Sequence, residues 1–228
     1  MKKKIICIIP ARTNSKRFKN KNFYKYKRIP LINYTLKAAL KSKIFDKILI
    51  STDKKNFKNK YKDNNIEVQI RNKQLSKYAL SVNELVLKII KTERLNKFYD
   101  LICVLYPTAI LRNYLDIQKA YNYFKKTKAD SIIAATNFDF PAHQALISVK
   151  KNFFFKSLSK KYNSPKYNNL YKKTFVDNGS LYLSKIKTFI NLKTFYSKKL
   201  CIYYMPRNRS LDINYKSNIK KIKTKKLL

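Results

Sequence analysis

From residue 10 to residue 22 the chain reads Pro10-Ala11-Arg12-Thr13-Asn14-Ser15-Lys16-Arg17-Phe18-Lys19-Asn20-Lys21-Asn22, a polar stretch with five cations, Arg12, Lys16, Arg17 and Lys21 among them, directly behind an apolar run. Arginine offers a forked pair of donors and lysine a compact point charge, and together they suit a triphosphate. The competing reading is an ordinary solvated basic loop, because with eight arginines and 45 lysines in the chain basicity alone decides nothing. Asp53, closing Ile50-Ser51-Thr52-Asp53, is either an active-site carboxylate at a strand end or, the reading favoured here, the cap of a following helix or a support behind the site. Asp177 and Asn178 stand before Gly179 and either contact a ligand or form the turn that glycine permits.

Gly179 is the only glycine among 228 residues. A dinucleotide fingerprint needs three glycines and a Walker A loop two, since backbone amides must approach phosphates closely, so both are excluded. Retention of glycine at this one place points to a backbone geometry that other residues do not adopt. The formal net charge is +41, from 53 Lys+Arg against 12 Asp+Glu. Such a charge points first to nucleic acid through counterion release. Abundant Lys, Asn, Ile, Tyr and Phe with scarce Gly, Ala, Arg and Pro fit instead a drift toward AT-rich codons, and the lysines are spread along the chain rather than gathered on one element. No specific nucleic-acid partner is therefore expected. Cys7, Cys103 and Cys201 are odd in number and embedded in apolar runs, which reads as small buried hydrophobes rather than disulfides or a zinc site. The apolar run after Lys4 stops at Pro10, too short for a signal peptide, and no stretch approaches the roughly 18 apolar residues of a membrane span. The expectation is a cytoplasmic chain without membrane association.

The elements that would position these residues alternate. Lys4–Ile9, Lys47–Ser51, Glu67–Ile70, Asp100–Tyr106 and Ser131–Thr136 read as strands; the helical patterns are Leu31–Leu40 opened by Pro30, a polar one over Lys54–Tyr61, Val82–Asn96 and Tyr114–Lys126. This order predicts an α/β fold with a doubly wound, mostly parallel sheet and ligands at the carboxyl ends of its strands. Beyond Asn137 the pattern changes. Ala145–Val149, Phe153–Ser157, Val176 and Gly179–Leu183 read as short strands around a polar loop, Ser159–Lys173, giving one domain over 1–228 with an inserted β-rich appendage at about 138–180. Cys201–Met205 would return as a last central strand and Tyr215–Ile222 as a final helix, with a basic tail.

Order and spacing carry more than charge. Pro10-Ala11-Arg12-x-x-Ser15-Lys16-Arg17 with Lys21-Asn22, then Pro30-Leu31-Ile32-x-Tyr34-Thr35, Ile50-Ser51-Thr52-Asp53, Arg71, Tyr106-Pro107-Thr108-Ala109 with Leu111-Arg112, Phe138-x-Phe140-Pro141, Asp177-Asn178-Gly179-x-x-Tyr182 and Asp212-Ile213 follow one another in register. This series resembles the CMP-sugar acid cytidylyltransferases, the acylneuraminate cytidylyltransferase family, over nearly the whole chain. Tyr106-Pro107-Thr108-Ala109 and Phe138-x-Phe140-Pro141-x-x-x-Ala145-Leu146 are most similar to its pseudaminic acid branch, where sialic acid enzymes usually carry Gln-Pro-Thr-Ser at the first place.

The resemblance implies a Rossmann-like nucleotidyltransferase that joins CTP to the anomeric hydroxyl of a nine-carbon nonulosonic acid. By that resemblance Arg12, Lys21 and Asp212 would be catalytic. Ser15, Lys16, Asn22, Arg71, Tyr106, Thr108, Asp177 and Asn178 would bind substrate, with Arg17 a further phosphate contact. Asp212 and Asn214 would hold Mg²⁺, which takes oxygen ligands and usually only one or two carboxylates besides phosphate and water. His143, the sole histidine, is read as lining the sugar pocket or lying on the surface rather than serving a nucleophilic triad. A homodimer is also implied, the appendage crossing to the partner. Three departures stand out. Thr13-Asn14 replace glycines of the phosphate loop, with Asn14 expected to take the left-handed conformation. Asn214 replaces a metal-site aspartate, and Lys77-Tyr78 replace acidic residues. The alternatives are the same reaction on sialic or legionaminic acid, or a catalytically decayed paralogue that binds nucleotide or RNA.

Overall fold

The computed structural model describes residues 3–15, 17–57, 63–72, 80–139, 142, 145–150, 154–158 and 173–222. Expectations on Lys16, the greater part of the polar helix 54–61, Lys77, Tyr78, His143 and the loop 159–172 lie outside these residues.

Strand β1, Ile5–Ala11, runs buried through the middle of the molecule because its side chains alternate between two apolar layers. Ile5, Cys7 and Ile9 face a cluster holding Ile32, Leu36 and Ala39 of helix α1, Leu31–Ser42, while Ile6 and Ile8 face Leu85, Val86, Ile89 and Ile90 of helix α2, Val82–Thr92. After α1 come β4, Lys47–Thr52, and β5, Ile66–Ile70; after α2 come β6, Leu101–Leu105, helix α3, Tyr114–Thr127, and β7, Ser131–Asn137. Between β1 and α1 the two-residue strands β2, Lys25–Tyr26, and β3, Ile29–Pro30, form a small antiparallel ribbon.

The seven-stranded sheet is completed by β10, Phe175–Lys185, and β11, Leu200–Tyr204, in the order β11-β7-β10-β6-β1-β4-β5. Only β10 runs antiparallel, pairing with β6 and β7; the other pairings are parallel. The chain steps from β1 outward to β4 and β5, then returns to the other side of β1 as β6. The strand order therefore switches direction between β1 and β6, where an open α/β sheet leaves a crevice at its carboxyl edge.

Several expectations are corrected. The pieces read as Val176 and Gly179–Leu183 are one eleven-residue strand of the main sheet. The signal was broken because β10 bulges: from Asp177 to Tyr182 on β10, the partner on β7 moves only from Ala135 to Ile133, and Gly179 sits in the bulge at φ +66°. Among the described residues of segment 138–180, β8, Leu146–Lys150, and β9, Phe154–Ser157, form an antiparallel hairpin separate from the main sheet. Helix α2 stops at Thr92 rather than Asn96, since Arg94 turns left-handed at φ 49°. Residues 54–57 are a turn. Helix α4, Ile186–Leu192, was missed because it continues β10 without a break and spans only seven residues. β11 is an edge strand, not a central one, and Lys216–Lys221 forms 3-10 turns in place of a helix.

Left-handed backbone at non-glycine residues recurs: Lys43, Lys128 and Lys193 end α1, α3 and α4, and Asn20, Lys27, Arg28 and Arg94 adopt it elsewhere. Cys7 and Cys103 are paired neighbours on β1 and β6, buried and free; Cys201 is half-buried.

A Cβ on Gly179 would lie 3.5 Å from the Asp212 carboxylate, an ordinary contact, so substitution is costly through the backbone instead. Gly179→Ala should lower stability by about 1–2 kcal/mol, the left-handed penalty for an L-residue, measured by urea unfolding.

Candidate active site

Asn22, at the start of a 3-10 turn, is buried and donates from Nδ2 to the Arg12 carbonyl at 2.8 Å, which folds the segment after β1 back on itself. Asn20 closes the same loop, its amide donating to Thr13 O at 2.8 Å from a left-handed conformation at φ 59°. The strained residue of this loop is thus Asn20 and not Asn14, which has no positive φ. Asp53 supports the site from behind: its Oδ1 accepts the Thr13 amide at 2.7 Å, so the carboxylate after β4 caps the loop after β1 rather than a helix.

Arg71 follows β5 and is almost wholly buried. Its guanidinium donates to Ser51 Oγ at 3.0 Å and Ser51 O at 2.9 Å, while its own amide donates to Thr52 O. Burial pulls its pKa down to about 10, with Asp53 opposing, so it stays charged near neutrality. From β6 the chain continues through Tyr106, Pro107 and buried Thr108. Tyr106 packs on Tyr182 of β10 at 5.2 Å between ring centres, and burial pushes its phenol up to about 12, keeping it neutral.

The last contribution comes from beyond β11. Ile213 is buried among Leu31, Tyr34 and Ile110, which pins the two residues flanking it. Asp212 Oδ1 accepts from Thr108 Oγ1 at 2.5 Å and its Oδ2 from Asn214 Nδ2 at 2.7 Å. Asn214 Oδ1 in turn accepts from Lys21 Nζ at 3.0 Å and Arg17 Nη2 at 2.9 Å, and Lys21 also reaches Ile213 O. Desolvation lowers the Lys21 pKa, with Asp212 opposing.

These parts enclose a cleft of 310 Å³ at the carboxyl edge of β1 and β6. Arg12, Arg17, Lys21 and Arg71 stand around a single carboxylate, Asp212, while Tyr106, Leu80, Val82 and Leu85 supply an apolar wall. The arrangement suits a ligand with a flat ring and a polyanionic tail. Of the residues expected from sequence, Arg12, Arg17, Lys21, Asn22, Arg71, Tyr106, Thr108, Asp212 and Asn214 line it. Ser15, Asp177 and Asn178 do not, and Lys16 lies outside the described residues. Asp177 faces the protein: its carboxylate accepts from Tyr182, Tyr196 and the Gly179 amide, and Asn178 bonds Ser210 and the Ser180 amide. Ser81 and its neighbours at the start of α2 were missed, although Ser81-x-x-Glu84 is a capping box legible in the sequence.

A family model described as cytidylyltransferase matches residues 6–226. The chain belongs to this family. It is 31% identical over 223 residues to a pseudaminic acid cytidylyltransferase of Campylobacter jejuni, covering 92% of this chain and 91% of that one. An N-acylneuraminate cytidylyltransferase of Escherichia coli is 26% identical over 217 residues, covering 94% of this chain and 50% of the longer relative. The fold is shared with a CMP:2-keto-3-deoxy-manno-octonic acid synthetase solved with CTP, at TM-score 0.65 and 11% identity over 96% of each chain. This cytidylyltransferase accordingly carries its cationic cleft on a family fold. No helix among its described residues is long and apolar enough to cross a membrane.

The lowered Lys21 pKa has a defined sign. Its charged form attracts a polyanion, so tripolyphosphate affinity, followed by calorimetry, should weaken as pH rises through a value below the ordinary 10.5 of lysine. In Lys21→Arg, whose charge persists, that loss should move to higher pH.

Proposed function

We propose that this cytidylyltransferase transfers CMP from CTP to the anomeric hydroxyl of a nine-carbon nonulosonic acid, pseudaminic acid, releasing pyrophosphate. The observation that carries the reading is the cleft itself, lined at the strand-order switch by Arg12, Arg17, Lys21 and Arg71 together with a carboxylate, Asp212, held by Thr108. Sialic and legionaminic acids are the alternative acceptors, separated from pseudaminic acid by a few pocket residues.

In the reaction the acceptor oxygen bonds to the α-phosphorus of CTP, the bond from that phosphorus to the bridging oxygen breaks, and the hydroxyl proton is released. Negative charge grows on the phosphoryl oxygens and the leaving pyrophosphate, so fixed cations supply most of what is needed and a protein nucleophile is unnecessary. Arg12, Lys21, Arg17 and Lys16 receive the triphosphate. Ser15 and Asn22 belong to the same loop, Asn22 through its hold on Arg12, and Arg71 sits against the nucleotide side of the cleft. Tyr106 and Thr108 line the pocket between base and sugar. Asp177 and Asn178 act on the sugar side through Tyr182 and the bulge they shape.

Asp212 would hold Mg²⁺ through its carboxylate, and Asn214 would join it through its amide oxygen once that oxygen turns away from Lys21 and Arg17. When bound there the ion would neutralise developing phosphate charge. Asn214 supplies no charge, and Lys21 and Arg17 already point at its oxygen. The hairpin of β8 and β9 exposes Leu146, Ile147, Val149, Phe155 and Leu158, which supports a homodimer in which the inserted segment reaches the partner.

CTP carrying a radiolabelled α-phosphate, supplied with candidate nonulosonic acids and Mg²⁺, should yield labelled CMP-sugar, fastest with pseudaminic acid. Failure with every nine-carbon acid in a folded preparation that binds CTP would overturn the reading in favour of a decayed paralogue. Asn214→Asp should tighten metal binding: a unit charge at 4 Å is worth about 4 kcal/mol at an effective dielectric near 20, so a third of it lowers the half-saturating Mn²⁺ concentration about tenfold. Mn²⁺ resonance titration in the presence of CTP measures it.

A further inference from the structure

Asp116 is a buried carboxylate that the reaction above does not use. It is 2% exposed and lies in the first turn of α3, where its Oδ2 accepts the Asn113 amide at 2.9 Å in a reciprocal capping box. That bond alone would suffice for a cap. Yet the same carboxylate also takes both arms of Arg209, Nη1 at 2.9 Å and Nη2 at 2.8 Å, and the Tyr203 hydroxyl of β11 at 3.0 Å. Four donors saturate the acceptor capacity of one carboxylate, and a bidentate guanidinium fixes orientation as well as distance.

Arg209 stands outside the cleft, three residues before Asp212. Its 3-10 turn, Arg207–Arg209, is tied down further by Ser210, whose Oγ donates to the Met205 and Pro206 carbonyls and accepts from Asn178 Nδ2 at 3.0 Å. On the other side of Asp116, α3 begins directly after the Tyr106–Arg112 segment that carries Thr108. The ion pair therefore joins the two chain segments whose tips meet at the 2.5 Å contact of Thr108 with Asp212.

We propose that Arg209, held by Asp116, is a positioning residue that sets the Asp212 carboxylate over the cleft. The proposal rests on the cytidylyltransferase reading for its catalytic consequence and on geometry alone for its structural one. Lysine cannot replace Arg209 fully, because one point charge cannot make both bonds.

Arg209→Gln should lower kcat for CMP-sugar formation by about 10–100-fold, the scale of a 1 Å misplacement, while the KM for CTP changes less, because Arg71 is held through Ser51 and the backbone of Arg12 through Asn22, neither of them tied to the 206–214 segment. Arg209→Lys should fall between. In an Asp212→Asn background, already slow, Arg209→Gln should cost almost nothing more, since it acts through the carboxylate that is gone. A merely structural arginine would lower Tm with kcat unchanged, or multiply the loss in both backgrounds, and either result overturns the proposal. Hydrogen exchange in peptides covering 206–214 decides the geometric half without any turnover: faster exchange there in Arg209→Gln, with β1 and β6 unchanged, supports the clamp, and unchanged exchange overturns it. A wild-type protein that makes no CMP-sugar would count against the reaction, and the exchange result would still stand by itself.

Discussion

Thr108 and Asp212 are 104 residues apart in sequence and share a hydrogen bond of 2.5 Å, and the geometry of the cleft follows from that contact. β11, which delivers Asp212, lies at the far edge of the sheet, three strand spacings from β6, or roughly 14 Å at about 4.8 Å each. The seven steps from Met205 to Asp212 span at most about 25 Å when extended, and several are coiled into the 3-10 turn. The segment crosses with little slack. Buried Ile213 and the tethers at Ser210 and Arg209 fix where the carboxylate ends, and Lys21 and Arg17 then meet Asn214 beside it.

The cations are held differently from the carboxylate. Arg71 and Lys21 are partly removed from water, and both have pKa values lowered by that loss of solvation. An incoming polyanion restores what burial has taken away, so the attraction is larger than the same charges would exert on an open surface. Tyr106, kept neutral on Tyr182, adds a flat apolar face without adding charge. The network Asp177, Tyr182 and Tyr106 thus shapes the wall opposite the cationic loop.

Much of this was legible in the residues. The β1 to α3 alternation, the cationic loop and the series of motifs led to nine residues that share one cleft. What failed to show was long-range or irregular. A bulge split β10 into fragments, since period-two patterning cannot survive three extra residues; Asp53 read as a local cap because its partner, Thr13, is 40 residues away. The left-handed residue of the loop was misplaced from Asn20 to Asn14, as both are asparagines and only the closing bond to Thr13 separates them. Arg209 carried no motif at all; its significance lies in the carboxylate it meets.

Among the described residues, the seven left-handed positions filled by Lys, Arg and Asn bear on how such a composition is tolerated. Each costs about 1 kcal/mol or more relative to glycine, against a net stability of only about 5–15 kcal/mol for a domain. Three of them are lysines closing helices, where a cation meets the negative end of the dipole and returns part of that cost. At these three helix ends charge offsets part of the backbone strain, and the remainder is a reserve of stability that glycine there would recover without touching the cleft.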